Sequence, residues 1–367
     1  MEPNIQDKFN IDRLRFIDNL HTTNRQLPIC SKIVEELRNR QIPKSILTSK
    51  LFKWSFEQEQ NNEEYSNDRG KLTNKGRPTT AINHYLNLCE SLNLIAKVGS
   101  VYSSTRLSSV LSSFNQQQFH LTFGAKLFYL FQLFSIDADG LILIMEILSK
   151  GMILNQNELQ KEFSKGLQQR LQYKRQYSTG TAKFNIGNKL IRVQMLWRSP
   201  EKYAEHMVAP RCEWLKTLGL VKIERNGSST SYELSQVGSA IFNTLPVIHD
   251  VGGSRDINLK WMEENFFSTF GDILDDKKKD SKTLNLTSLT QALAGSLMNV
   301  KSSNSFRLPA LDTFLYMCIY LSEYCNIYIN IAELTLLFKE GLDFDGKKFF
   351  LKEGGRVNES YITSILL

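Results

Sequence analysis

The chain has only five cysteines in 367 residues, and none stands in a Cys-x-x-Cys pair. Cys30, Cys89, Cys212, Cys318 and Cys325 are odd in number and widely spaced. That pattern argues against a disulfide framework and for a reducing compartment. The five histidines are equally scattered, so no zinc site assembles from neighbouring ligands. The amino-terminal MEPNIQDKFNIDRLRF is polar and does not read as a secretory signal. No apolar run reaches the length of a membrane span; the longest, around Leu141 to Leu148, has core-helix length. These absences predict a cytoplasmic protein without a membrane partner. The runs GSVYSS, NGSSTS and VGGSRD match neither G-x-x-x-x-G-K-S/T nor G-x-G-x-x-G, so they read as turns. No Ser-His-Asp or Cys-His arrangement can be assembled. The sequence implies no cofactor, no metal and no enzymatic activity.

Acidic residues are missing locally as well. Between Phe163 and Pro200 there is no Asp or Glu, yet Lys165, Arg170, Lys174, Arg175, Lys183, Lys189, Arg192 and Arg198 all fall there. In a chain of net charge +7, such a run points to a polyanion. The stretch EKYAEHMVAPRCEWLKTLGLVKIERNGSSTSYELSQVGSAIF follows it. It reads as a helix, a glycine stop, a strand, a Gly-Ser turn, a second strand and a short helix. That order is the second half of a winged helix, a recognition helix followed by a two-stranded wing. Behind a basic arm it implies a reader of duplex DNA. Helical spacing predicts a buried stripe of Tyr203, Val208, Cys212 and Leu215, with Trp214 partly buried. His206 and Arg211 then face outward, with Arg198 and Lys202 at the helix entry. The cations would bind phosphates, and Arg211 could read a guanine edge. The plainer reading is a solvated face that docks onto protein.

The rest of the chain divides into an amino-terminal arm (1–26), a first winged helix (27–117), a second with the basic arm (118–246) and a carboxy-terminal helical domain (247–367). The fold class is mainly α with short β-hairpins (α+β), two winged-helix modules in tandem and room for a third, degenerate one after Pro309. In the first module, helices start near Ser31, Pro43 and Pro78, and the polar EQEQNNEEYSNDRGKLTNKGRP is a loop. Leu94 to Ser104 form the first wing and Leu220 to Leu234 the second. CESLNLIAKV…VYSSTRLSSVL aligns with LKTLGLVKIE…SYELSQVGSAI, an internal repeat in the same structural slot. In the second module, Leu127, Leu130, Phe131 and Phe134 mark a buried helix. Asp137 to Gly140 read as a turn, and Asn155 as a helix cap. Asp345-Gly346 predicts a hairpin.

A second group of candidate contacts surrounds the third helix of the first module. Lys71, Lys75 and Arg77 precede it, and Thr79 and Asn83 lie at its start, with His84 and Asn87 beyond. A helix N-terminus can bind phosphate, and Asn can read adenine; the alternative is a capped, solvated helix. Asp272, Asp275, Asp276 and Lys278 contain a D-x-K of the metal-nuclease kind, but a mixed-charge loop explains them as well.

At WRSPEKYAEHMVAPRCEWLKTLGLVK the chain resembles a winged-helix subdomain in the recognition half of type IIS restriction endonucleases. Ser199, Lys202-Tyr203-Ala204, Trp214-Leu215 and Leu218-Gly219-Leu220-Val221-Lys222 carry the resemblance. It implies successive winged helices and duplex DNA as partner. No Pro-Asp…Glu-x-Lys cleavage centre accompanies it. The expected function is a non-catalytic DNA-binding protein, as the recognition subunit of a restriction, defence or mobile-element system, with room for a protein partner or an effector subunit. The alternatives are a winged-helix scaffold for a larger complex and a nuclease with an unrecognised centre.

Overall fold

The computed structural model describes residues 14–66, 70–115, 119–151, 153–196, 200–226, 229–248, 254–275, 282–300, 307–354 and 360–366. The first part contains helix α1 (Leu27–Leu37), strand β1 (Gln41–Pro43), helix α2 (Lys44–Asn61) and the short helix α3 (Glu63–Ser66). A small hairpin of β2 (Thr73–Asn74) and β3 (Arg77–Pro78) precedes α4 (Ala81–Ser91), β4 (Ile95–Val98), β5 (Val101–Ser104) and α5 (Arg106–Phe114). The antiparallel sheet has the order β1-β5-β4. The central part repeats this plan. Helix α6 (Phe123–Leu148) leads to β6 (Leu154–Asn155), α7 (Gln156–Tyr177) and α8 (Gly180–Ile191), which runs into a π-helical turn (Arg192–Leu196). Then come α9 (Pro200–Thr217), β7 (Val221–Asn226), β8 (Ser229–Leu234) and α10 (Gln236–Thr244). The order β6-β8-β7 is again first, third, second.

The two hairpins are launched by the same device. Asn93 (φ 54°) ends α4 and Gly219 (φ 81°) ends α9, both in the left-handed region. The N–H of Leu94 donates to Cys89 O at 2.9 Å, and that of Leu220 to Leu215 O at 2.7 Å. Such a stop satisfies terminal carbonyls and redirects the chain into a strand. At the far end of each hairpin stands a hydroxyl residue. Thr105 Oγ1 donates to Asn93 O at 2.7 Å, and Ser235 Oγ to Gly219 O at 2.6 Å. The same hydroxyls accept the N–H groups of Ser108 and Gly238, capping the next helix. The repeat seen in the sequence is therefore matched bond by bond.

The last part differs. After β9 (Val247–Ile248) and β10 (Ser254–Arg255) come α11 (Leu259–Leu274), α12 (Leu286–Asn299), β11 (Leu308–Pro309) and α13 (Ala310–Tyr320), with a second π-helical turn (Leu321–Cys325). Helix α14 (Ile331–Glu340), β12 (Leu342–Phe344), β13 (Lys347–Lys352) and β14 (Tyr361–Leu366) complete it. The sheet order is β11-β14-β13-β12, so an added strand separates the first strand from the hairpin. Asp345 (φ 52°) and Gly346 (φ 67°) form the expected turn.

Helix α6 is the axis of the molecule. It is apolar on every side, so it has no face to give to water, and most of its residues are buried. Tyr129 Oη lies 2.8 Å from Ser31 Oγ, and Gln132 Nε2 donates to Leu92 O at 2.9 Å, which ties the helix to the first part. Its second half packs in the central part. Where a turn was expected at Asp137 to Gly140, two helical segments meet across a kink: Asp137 leaves helical angles (φ −129°, ψ 20°), while Ala138 to Gly140 are helical. By length and composition α6 is long and apolar enough to cross a membrane, which differs from expectation; 89% of that apolar window is buried within the protein.

Other local expectations fare unevenly. Asn155 caps α7 in a full capping box with Glu158. The polar stretch read as a loop instead extends α2 to Asn61 and then forms α3 and the β2–β3 hairpin. Pro78 lies on β3, not in the first turn of α4. Residues 14–26 are not a surface arm; Arg15, Ile17, Asn24 and Arg25 are buried.

Candidate nucleic-acid interface

The acid-free run forms a pair of helices, α7 and α8, and much of its charge points inward. Lys174 is fully buried, and Arg170 and Lys189 are nearly so. Arg170 Nε binds Asp139 Oδ1 at 2.8 Å, and its Nη2 lies 3.0 Å from Asp256 Oδ1. Lys174 Nζ lies 2.5 Å from Asp139 Oδ1 and 3.6 Å from Asp256 Oδ2. Arg15 joins them at 3.2 Å from Asp256, and its backbone N–H donates to Asp139 Oδ2 at 2.9 Å. Lys189 pairs with Asp18 and sits over the Phe16 ring. Asp139 explains the balance. Burial pushes its pKa up, but Lys174, Arg170 and Arg15 outweigh burial and hold the carboxyl well below its usual range.

The expected recognition helix is covered too. Arg211, assigned to the outer face of α9, is fully buried. Its Nε and Nη2 clasp Asp137 at 2.7 and 2.6 Å, and Nη2 also donates to Ile17 O at 3.0 Å. Gly140 makes room for this clasp, since a Cβ there would meet Arg211 Nε at 2.3 Å. Trp214 is fully buried, and its Nε1 donates to Asn24 O at 2.6 Å. Arg25 pairs with Glu213 at 3.2 Å. Residues 14–25 thus lie along α9. Arg170, Lys174, Lys189 and Arg211 are corrected from phosphate or base contacts to interior cations. Each sits where a phosphate could reach it only after its carboxylate left. Tyr203 is corrected from the buried stripe to the surface, at 44% exposure. Arg175, Lys183 and Arg192 remain exposed. Lys202 lies on α9, but its side chain is outside the described placements, and Arg198 is outside the described residues.

The first part keeps its basic group open. Lys75 (φ 50°) and Gly76 (φ 72°) form the tip of the β2–β3 hairpin. Glu59 of α2 fastens that tip, accepting the N–H groups of Lys75 at 3.0 Å and Gly76 at 3.2 Å. Lys71 pairs with the same carboxylate at 3.2 Å and is half-buried, so it holds the hairpin instead of facing a ligand. Although burial pushes Glu59 up, these N–H groups and Lys71 keep its pKa below the usual value. Thr79 turns its hydroxyl inward, donating to Lys71 O at 2.9 Å. Lys75, Arg77 and Asn83 are exposed, the first two preceding α4 in the chain and the third on its first turn.

A feature with no signal in the sequence joins the two parts. His21, His84 of α4 and His206 of α9 meet although they are far apart in the chain. His21 stacks on His84 at 3.9 Å with a 7° interplanar angle, and its ring lies 5.2 Å from that of His206. His21 Nδ1 accepts the N–H of Thr23 at 3.3 Å. His206 is half-buried, so it was not free to project as an outer-face contact. Burial, then the neighbouring imidazoles, lowers the pKa of His21 and of His84. Both therefore protonate more readily in the unfolded chain, where histidine titrates near about 6.5. The stability they leave intact is complete above that value and is lost as pH falls below it toward the lowered folded values. Denaturant midpoints should drop between about pH 7 and about pH 5.5, and His84→Gln should flatten the decline. Identical pH profiles for the two proteins would remove the stack as its cause.

Of the acids considered for metal chemistry, Asp275 is buried and accepts from Tyr328 Oη at 3.1 Å, while Asp272 is exposed. Asp276 and Lys278 lie outside the described residues. Among the described residues, no group of three or more His, Cys, Asp or Glu is arranged to hold a metal ion. All five cysteines are free thiols. Comparison with protein families, with curated proteins and with solved structures gives no match.

Proposed function

We propose that this chain is a non-catalytic duplex-DNA-binding protein built from tandem winged helices, with its DNA face on the first of them. In both copies a helix and a short strand come first, further helices follow, and the last of them (α4, α9) leads into a hairpin with the same strand order, which supports the winged-helix reading. One observation supports the choice of face. In the first copy α4 keeps Asn83 and Asn87 exposed, and Glu59 fixes the hairpin tip at Lys75 and Gly76, next to Arg77 in the chain stretch before that helix. In the second copy the corresponding helix is covered by residues 14–25. Lys75 and Arg77 are the phosphate contacts in this reading, and Asn83 is the base contact. The chain would serve as the recognition subunit of a restriction, defence or mobile-element system, with any cutting done by another subunit.

A salt-titrated binding assay on duplex DNA tests this. Lys75→Ala with Arg77→Ala should weaken binding alike on all sequences and make the salt slope shallower by about one unit per lost phosphate contact. Asn83→Ala should cost about 1–3 kcal/mol at one base position. No duplex binding near physiological salt, or unaltered binding by the double variant, would remove this face and leave the scaffold reading.

A further inference from the structure

We propose that the outer face of α8 and its π-helical extension docks an acidic amphipathic helix of a protein partner. Phe184, Asn188, Ile191 and Met195 share one face by helical spacing. Phe184 is 67% exposed, Ile191 46% and Met195 76%. The opposite face, Ile186, Leu190 and Val193, is buried, so the helix is anchored and the stripe is not a misplaced core. Single apolar side chains on a surface need no explanation; three in line along one helix mark an interaction site. From Phe184 to Met195 the stripe extends about 16 Å at the helical rise per residue, which matches about three turns of a partner helix.

Charge identifies the partner's chemistry. By helical position, Lys183 flanks the stripe on one side and Arg192 on the other, and both are exposed. Exposed Arg175 of α7 reaches the Lys183 side, where a Cβ on Gly187 would lie 3.3 Å from its Nε. The acids that reach this segment from elsewhere, Asp18, Asp139 and Asp256, pair with Lys189, Arg170 and Lys174, and among the described residues no ion pair joins a carboxylate to Arg175, Lys183 or Arg192. The complement is a helix with an apolar stripe edged by Asp or Glu, laid along α8. A second copy of this chain fits poorly, because a two-fold contact would set identical cationic rims against each other. Duplex DNA would satisfy the cations but leave the apolar side chains against phosphate and water. The stripe is also one helix wide, which suits a helix better than a flat bilayer. None of these residues belongs to the DNA face proposed above, so the two readings stand or fall separately.

The test is a selection from a displayed library of helical peptides on the immobilised full chain, with the Phe184→Ser, Met195→Ser double variant as counter-target. Enriched peptides should carry apolar residues at three- and four-residue spacing with acids beside them. They should bind the double variant at least about tenfold more weakly. Lys183→Glu with Arg192→Glu should weaken the same peptides, and replacing the peptides' acids with Lys should restore binding to that variant. The substituted side chains are exposed, so both variants should melt with the wild type by circular dichroism. The proposal is overturned if nothing enriches on the wild type over the double variant, if enriched peptides lack acids, or if neither variant weakens them. Loss of binding to duplex DNA or to phosphatidylserine vesicles in the double variant would overturn it as well, giving the stripe to that surface.

Discussion

Replacing Asp139 with alanine is expected to destabilise the chain by about 3–5 kcal/mol, the range found when one partner of a buried ion pair is removed. Asp139 Oδ1 serves Arg170 at 2.8 Å and Lys174 at 2.5 Å, and Oδ2 takes the N–H of Arg15 at 2.9 Å. Removing it strands two interior cations and a buried N–H. Asp256 remains for them, but it already faces Arg15. Guanidinium denaturation measures the loss; a wild-type midpoint would mean that the cluster is solvated and contributes little. Acid should act in the same direction. The carboxyl titrates below its unfolded value, so its stabilisation is present above about pH 4 and fades as pH falls toward the folded pKa. Lys174→Ala should lower stability without acting as a phosphate deletion, because the ammonium is sealed from solvent. A combined alanine variant of Lys174, Arg175, Lys183 and Lys189 would therefore mix folding with any loss of binding.

Trp214→Ala should cost about 3–5 kcal/mol, as for other fully buried large aromatics. The ring is fully buried, and its N–H reaches Asn24 O at 2.6 Å. Truncation opens a cavity and leaves that carbonyl without its indole donor. It also loosens the hold of α9 on the segment that contains His21. Trp214→Phe keeps most of the volume and loses the hydrogen bond, so it should cost less, with about 1 kcal/mol due to that bond. Thermal melts of both variants test this order. An unchanged melting temperature for the alanine variant would put the indole outside the core.

Short-range features were legible in the sequence. Leu92-Asn93-Leu94 and Leu218-Gly219-Leu220 each place a left-handed residue between two buried leucines, and both start a hairpin. Asn155 with Glu158 caps a helix, and Asp345-Gly346 turns a hairpin. In each case the residue that sets the backbone lies within a few positions of the bonds it makes. The helical class and the two hairpins followed from such local chemistry, whereas of the basic and polar group before and on α4 Lys75, Arg77 and Asn83 are exposed and Lys71 and Thr79 are held inward.

The location of charge was decided by the tertiary structure alone. A run without acids looked like a free cationic face because its acids come from elsewhere in the chain. Arg170 and Lys174 of α7 meet Asp139 of α6 and Asp256 after β10, and Arg15 reaches Asp256 across 241 residues of sequence. The same effect hid the stack of His21, His84 and His206. It also narrowed the turn expected at Asp137 to Gly140 to a kink at Asp137, whose carboxylate is clasped by Arg211 and needs no solvent. Turns and caps are set by bonds a few residues long, whereas a buried charge is tolerated only where folding brings its counter-charge.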